Sequence, residues 1–278
     1  MMLASTPRSE RDAKVAMAGR FDRYEKEGGQ DVRKLEPKAN ETVQRLMGLW
    51  KEFGVLQLPG LGWGTNKYDY KTYEKLCQTV QGSGIQYGPA DISELVFSIG
   101  AYIGEESFSR KAGIFLSTLI NNGPRGQYVL PVGNLETTIQ AFGYRNQAGH
   151  DLIIQGDAGA HAFQEMEGGN VVVQGGCELL AGQLMRGGLA VIEGTHKGDI
   201  GLKMAGGRLE VRTLVLSKQQ DVNRHWQVIG EFWDSVGSQM TGGEIHAGTV
   251  FPNIGYGLEK GDIISGRIYL QGRLIYER

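Results

Sequence analysis

A short pattern recurs along the second half of the chain: Met166-Glu167-Gly168-Gly169, Met185-Arg186-Gly187-Gly188, Met204-Ala205-Gly206-Gly207 and Met240-Thr241-Gly242-Gly243. The copies are spaced 19, 19 and 36 residues apart, the last interval being two steps of 18. A unit this short cannot bury its own apolar face, so a fixed period of this length requires neighbouring units to stack into a shared core. Each double glycine leads into an aliphatic run: Val171-Val172-Val173, Leu189-Ala190-Val191-Ile192 and Leu209-Glu210-Val211. A glycine stands three residues before the methionine at 182, 201 and 237, and Phe163 takes that place in the first copy. Stepping back from Met166 by one period reaches Gln147, with Gly149 and Leu152-Ile153-Ile154 following in register. Stepping on from Met240 reaches Leu258, and a degenerate unit centres near Val222 and Asn223.

The predicted fold is α+β and multidomain: a small helical module over 1–127, then a right-handed single-stranded β-helix over 128–278. About seven turns stacked at the strand spacing make a rod roughly 30 Å long. Methionine is unbranched and fills irregular gaps, so one per turn makes an inner ladder, while glycine supplies positive φ at the corners. Met166, Gly168, Gly169, Met185, Gly187, Gly188, Met204, Gly206, Gly207, Met240, Gly242 and Gly243 are therefore structural positions. A left-handed hexapeptide helix of acyltransferase type also turns in 18 residues, but it needs an aliphatic residue every six, and here the apolar triplet comes once per turn. Residues 213–236, with Trp226, Phe232 and Trp233, read as an excursion or a partner-facing surface. The segment from Gly266 to Tyr276 reads as a terminal strand or strand pair whose charges blunt the open end of the stack.

Of the 43 glycines, 26 fall between 143 and 272, which marks a compositional boundary just before the repeats. Ahead of it the apolar spacing is helical. Val15, Met17, Phe21 and Tyr24 predict a helix over 9–27. Val43, Leu46, Met47, Trp50 and Phe53 predict another, with Asn40 as N-cap and Gly54 just past its end. A third covers 68–80. Asp91-Ile92-Ser93-Glu94 resembles a capping box before a helical pattern reaching Asn122, which Gly100 and Gly104 divide. The loop Gly60-Leu61-Gly62-Trp63-Gly64-Thr65 is glycine-rich, but it fits neither the P-loop nor the dinucleotide fingerprint, so it predicts a tight packing turn rather than a phosphate site.

A formal net charge of −2 with interspersed signs argues against a nucleic-acid partner. Two cysteines, Cys77 and Cys177, exclude a disulfide framework and any four-cysteine metal or cluster site supplied by this chain alone. Charges from Arg8 to Lys14 occupy the place where a signal peptide needs an apolar core, and no apolar run is long enough to span a bilayer. A cytoplasmic protein without membrane insertion is expected.

The copies Gly182-Gln183-Leu184-Met185-Arg186-Gly187-Gly188, Gly201-Leu202-Lys203-Met204-Ala205-Gly206-Gly207 and Gly237-Ser238-Gln239-Met240-Thr241-Gly242-Gly243 resemble the glycine-repeat (GXGXG) domain of glutamate synthase. The same domain forms the C subunit of formylmethanofuran dehydrogenase and of the bacterial formyltransferase/hydrolase complex. The resemblance covers about residues 140–275. It implies a non-catalytic scaffold subunit of a hetero-oligomeric oxidoreductase, first of the formylmethanofuran-dehydrogenase type in one-carbon metabolism and alternatively of the glutamate-synthase type. It further implies larger redox, amidohydrolase or amidotransferase-type partners. Those partners would carry molybdopterin or tungstopterin, iron–sulfur clusters or flavin, with no cofactor bound by this chain alone. A further alternative is a free-standing transferase or lyase using a flank of the repeat.

One pairing could carry chemistry. Cys177 and His196 each lie eight residues before a repeat methionine, so stacking sets a thiol beside an imidazole, the arrangement that activates a cysteine nucleophile. The histidines at 150, 161, 196, 225 and 246 show no His-x3-His spacing for a metal. Asp157, Glu178, Glu193 and Asp199 are expected as solvated corners or docking contacts.

Overall fold

The computed structural model describes residues 40–54, 66–215, 218–222, 228–233, 235–251 and 263–277. The helix expected over 9–27 and the loop at 60–65 lie outside them. Asn40–Arg278 forms one compact unit.

Among the described residues four helices come first: α1 (Glu41–Gly54), α2 (Asn66–Ser83), α3 (Pro89–Ile99) and α4 (Phe108–Asn122), with a 3₁₀ turn at Gly100–Tyr102 between the last two. Asn40 caps α1, its Oδ1 accepting from Thr42 N at 3.1 Å, and Val43, Leu46, Trp50 and Phe53 form the buried stripe. Trp50 meets Phe108 and Phe115 edge-on at 5.9 and 5.4 Å, joining α1 to α4. The capping box expected at 91–94 is corrected by three residues, to Gly88 and Asp91. Pro89 opens α3 because its fixed φ and missing N–H suit the first helical position. Asp91 then reaches back to the Gly88 N–H at 2.8 Å. Glu94 instead accepts from Asn40 N at 3.3 Å, tying α3 to the cap of α1.

Strands β1 (Gly126–Leu130), β2 (His150–Ile154), β3 (Asn170–Val173), β4 (Leu189–Lys197), β5 (Ala205–Val215), β8 (Thr241–Phe251), β9 (Ser265–Leu270) and β10 (Arg273–Glu277) form one sheet in that order. Neighbours are parallel except β9 and β10. β6 (Lys218–Val222) and β7 (Val228–Trp233) make a separate antiparallel pair containing Phe232 and Trp233. Trp226 lies outside the described residues.

This corrects the predicted architecture. In place of a single-stranded β-helix of about seven turns, the described residues form an open eight-stranded sheet with four helices. Each repeat supplies a run of strand on one side only. Elsewhere the units meet through single bridges, Ile139 to Ala158 to Cys177 to His196, and Ala181 to Ile200 to Val236. The glycine-rich part of each unit is a chain of left-handed turns: Gly182, Leu184 and Gly188 all have positive φ, as do Gly201, Lys203 and Gly207. Backbone of that kind breaks strands, so the remaining sides of the repeat do not extend into sheets. Two registers also shift. β5 pairs directly with β8, so Val222 belongs to the β6–β7 pair and not to a degenerate unit of the stack. The backbone bonds of Met166 are matched by those of Asn146 rather than Gln147. The carbonyl of Asn146 receives the N–H groups of Glu167 and Gly168, as that of Met166 receives those of Arg186 and Gly187.

The repeat methionines are fully buried. Side chains of Leu152, Val171, Ala190, Leu209, Ile245 and Ile268 form one inward row across the sheet, set by the strand register and at most 1% exposed. At the β1 end the helices close the stack. Ser93 Oγ donates to the Val129 carbonyl at 2.5 Å, which places α3 on β1. α4 is buried along nearly its whole length and supplies polar atoms where an earlier repeat would have supplied backbone. Ser109 Oγ donates to Thr138 O at 2.6 Å and accepts from Gln140 N at 3.1 Å. Asn121 Nδ2 donates to Tyr144 O at 3.0 Å. An otherwise open backbone edge is thus satisfied by helix side chains.

Candidate functional site

The repeat does set Cys177 beside His196, as a parallel bridge between adjacent units. Their surroundings do not suit a nucleophile. Cys177 is 4% exposed, and burial, with the nearby Asp157 and Glu178 carboxylates, pushes its thiol well above the usual range. A thiol held protonated at neutral pH is neither a good nucleophile nor a good metal ligand. His196 is fully buried, and its Nε2 lies 2.9 Å from the Asp199 carbonyl, a bond that orients the ring toward its own turn. Above Cys177 a shallow depression of about 320 Å³ is edged by Thr138, Asp157, Glu178, Thr195 and Lys197. Cys177 is expected to resist iodoacetamide in the native protein and to react fully once the chain is denatured, as read by mass spectrometry of the alkylated peptide. Rapid native labelling would show that burial does not hold the thiol inert.

The other singled-out residues serve turns. Asp157 Oδ1 accepts from Gly176 N at 2.7 Å, and Glu178 Oε1 accepts from Thr138 Oγ1 at 3.1 Å. Asp199 Oδ1 takes both the N–H and, at 2.7 Å, the hydroxyl of Ser235. That contact ties the unit before Met204 to the unit before Met240. His150 Nε2 lies 3.3 Å from the Gly123 carbonyl, and His161 Nδ1 lies 3.0 Å from Gln183 Oε1. His225 lies outside the described residues. Among the described residues no three His, Cys, Asp or Glu side chains are placed to hold a metal ion together, and no helix is long and apolar enough to cross a membrane.

The densest polar constellation lies on the outward face of the sheet, at residues the sequence reading did not single out. Ile153, Val172 and Val191 stand in register with Glu210, His246 and Tyr269, so one outward row changes from aliphatic to polar across the sheet. The row beside it runs Arg208, Glu244, Arg267. Glu244 is the hub. His246 Nε2 lies 3.0 Å from its Oε2, Arg267 Nη2 lies 2.5 Å from its Oε1, and Arg208 Nη1 lies 3.9 Å away. Arg208 Nε also reaches Glu210 at 2.6 Å. The hydrogen bond from His246, followed by the charges of Arg267, His246 and Arg208, holds the Glu244 carboxyl below the usual carboxylate range. The imidazole of His246 lies flat on Tyr269, with ring centroids 4.2 Å apart and planes 12° from parallel. A groove of about 440 Å³ opens here, with Glu193 and Arg212 at its margin.

The side chains pair both along and across the strands, so the face presents neighbouring charges of both signs. Such a face can recognise a complementary charged surface. The sequence signal was the alternation Arg208-x-Glu210-x-Arg212, Glu244-x-His246 and Arg267-x-Tyr269. These become one cluster only once β5 is known to pair with β8 and β8 with β9.

No family model matches the chain, and no curated protein or solved structure matches it either.

Proposed function

We propose that this chain is a non-catalytic docking subunit of a multi-subunit oxidoreductase, of the formylmethanofuran-dehydrogenase type that its glycine repeats resemble, working in the cytoplasm. The observation that carries the reading is the charge ladder of Arg208, Glu210, Glu244, His246 and Arg267 on one face of the sheet. Preorganised charges lose little side-chain freedom on association, and charge complementarity sets partner choice and encounter rate more than bulk affinity. A docking role also accords with a thiol–imidazole pair placed where it cannot react. Larger subunits carrying the redox centres would seat against this face.

Affinity purification of the tagged chain from its own cells tests the reading. Larger redox subunits should be recovered with it and released as salt rises. Arg208→Gln with Arg267→Gln should reduce that recovery by about tenfold or more while leaving the melting temperature nearly unchanged, since both arginines are about half exposed. Turnover by the purified chain alone, abolished by Cys177→Ala, would overturn the proposal in favour of a free-standing enzyme.

A further inference from the structure

The outward face of the sheet holds two kinds of charge. Arg208, Glu210, Glu244 and Arg267 are engaged with one another: Arg208 Nε lies 2.6 Å from Glu210, and Arg267 Nη2 lies 2.5 Å from Glu244. Glu193 on β4 and Arg212 on β5 line the same groove. Among the described residues neither of these two forms an ion pair. The strand register gives the reason. Ile192 pairs with Val211 and Thr195 with Thr213, so Glu193 and Gly194 together face the single residue Arg212. An extra residue of this kind bends its strand and re-aims the side chains, which takes the carboxylate and the guanidinium out of direct opposition. On the other side of Arg212 stands Gly248, between the pairs Val211–Ala247 and Thr213–Thr249. A β-carbon at Gly248 would lie 2.7 Å from the Arg212 carbonyl oxygen. With no side chain at that place, β8 offers Arg212 no partner and leaves the groove open beside it.

We infer that this groove receives a segment of the docked partner carrying an acidic side chain beside a basic one, the carboxylate meeting Arg212 and the cation meeting Glu193. The inference rests on the docking reading and adds which charges make the contact. A partner carboxylate approaching Arg208 or Arg267 competes with a bond already made inside the sheet. One approaching Arg212 displaces only solvent. Exposed ion pairs contribute little, but a pair covered by the seated partner is shielded from water, and close interfacial pairs couple strongly. The two contacts have opposite signs, so the segment fits in one direction. Turned around, it sets acid against Glu193 and base against Arg212, a repulsion that rejects wrong partners as well as wrong orientations. His246 and Tyr269, stacked with centroids 4.2 Å apart, and Val191 line the groove beside these charges. The stems of long partner side chains can lie along such a wall while their heads reach the two charges.

Crosslinking of the complex recovered with the tagged full chain tests the contact. Arg212→Lys keeps the positive charge and supplies an amine, which a zero-length carbodiimide reagent joins only to a carboxylate touching it. Mass spectrometry should find position 212 joined to an aspartate or glutamate of the partner. Arg212→Gln and Glu193→Gln should each lower recovery of that partner by about tenfold. Both variants should melt like the parent, because neither side chain holds an ion pair within the chain. An amine at 212 that couples to no partner carboxylate overturns the inference. So does a partner recovered equally well by both glutamine variants. If that same partner is still lost on Arg208→Gln with Arg267→Gln, the docking reading stands and only this contact fails. A parent chain that recovers no partner overturns both.

Discussion

Replacing Gly113 with alanine is expected to destabilise the protein by ~3 kcal/mol or more, although alanine is the better helix former. Gly113 lies within α4, where a helix interior alone would favour the change by about 1 kcal/mol. A β-carbon there would stand 1.6 Å from the Gln140 carbonyl oxygen and 2.8 Å from its carbon. Both atoms are backbone, held in the first repeat by the bonds that α4 itself makes through Ser109 and Ser117. The helix can admit the methyl only by lifting off the edge it closes. Gly48 in α1 provides the contrast, because a β-carbon there meets nothing within 4 Å. Gly48→Ala should therefore stabilise by about 0.5–1 kcal/mol. Denaturant titration of both variants reads the two signs, and equal behaviour would remove the close approach as the reason for glycine at 113.

Gly188→Ala should cost about 3–4 kcal/mol, from two additive sources. The residue has φ of +83°, where an L side chain is disfavoured by ~1–2 kcal/mol. Its β-carbon would also stand 2.6 Å from the Gly169 carbonyl oxygen and 2.6 Å from Met166 Cε. The same construction recurs in the next units, where Gly207 meets Met185 Cε and Gly243 meets Met204 Cε, each at 2.8 Å. Each repeat methionine thus lays its methyl on the second glycine of the following unit, and only a residue without a side chain leaves room. Thermal melting of Gly188→Ala and Gly207→Ala should show similar losses. A loss below ~1 kcal/mol in both would mean that the methionine relocates freely and that the pairing is incidental.

Much of this was legible in the chain. The period placed β2 to β5 in order and in register, because parallel neighbours bearing the same residues at the same offset bury the same row. Helix boundaries followed from Asn40 and Gly100, residues whose backbone preferences act locally. The capping box was misplaced because Pro89, two residues earlier, offers α3 a better start than Asp91. The stacking of Cys177 on His196 was visible in the spacing, but the state of the thiol was not, since burial and the carboxylates around it depend on how three units pack. The β-helix expectation failed at a particular point. Periodicity shows that units stack, and it does not show whether the backbone between strand runs is extended or left-handed.

The charged face marks the division most clearly. Period, composition and local caps settled that this chain stacks repeats, that glycine and methionine line their interior, and that helices come first. Those properties depend on neighbours a few residues apart or on one repeated offset. The Glu244 cluster depends on offsets of 36 and 23 residues between β5, β8 and β9, and the first of these, read from the sequence as two steps, is one step of the sheet because the β6–β7 pair stands between β5 and β8 in the chain. Side chains on facing strands interact only after the chain has chosen which strands face each other. That choice belongs to the packed core, and so the site was decided by the tertiary structure.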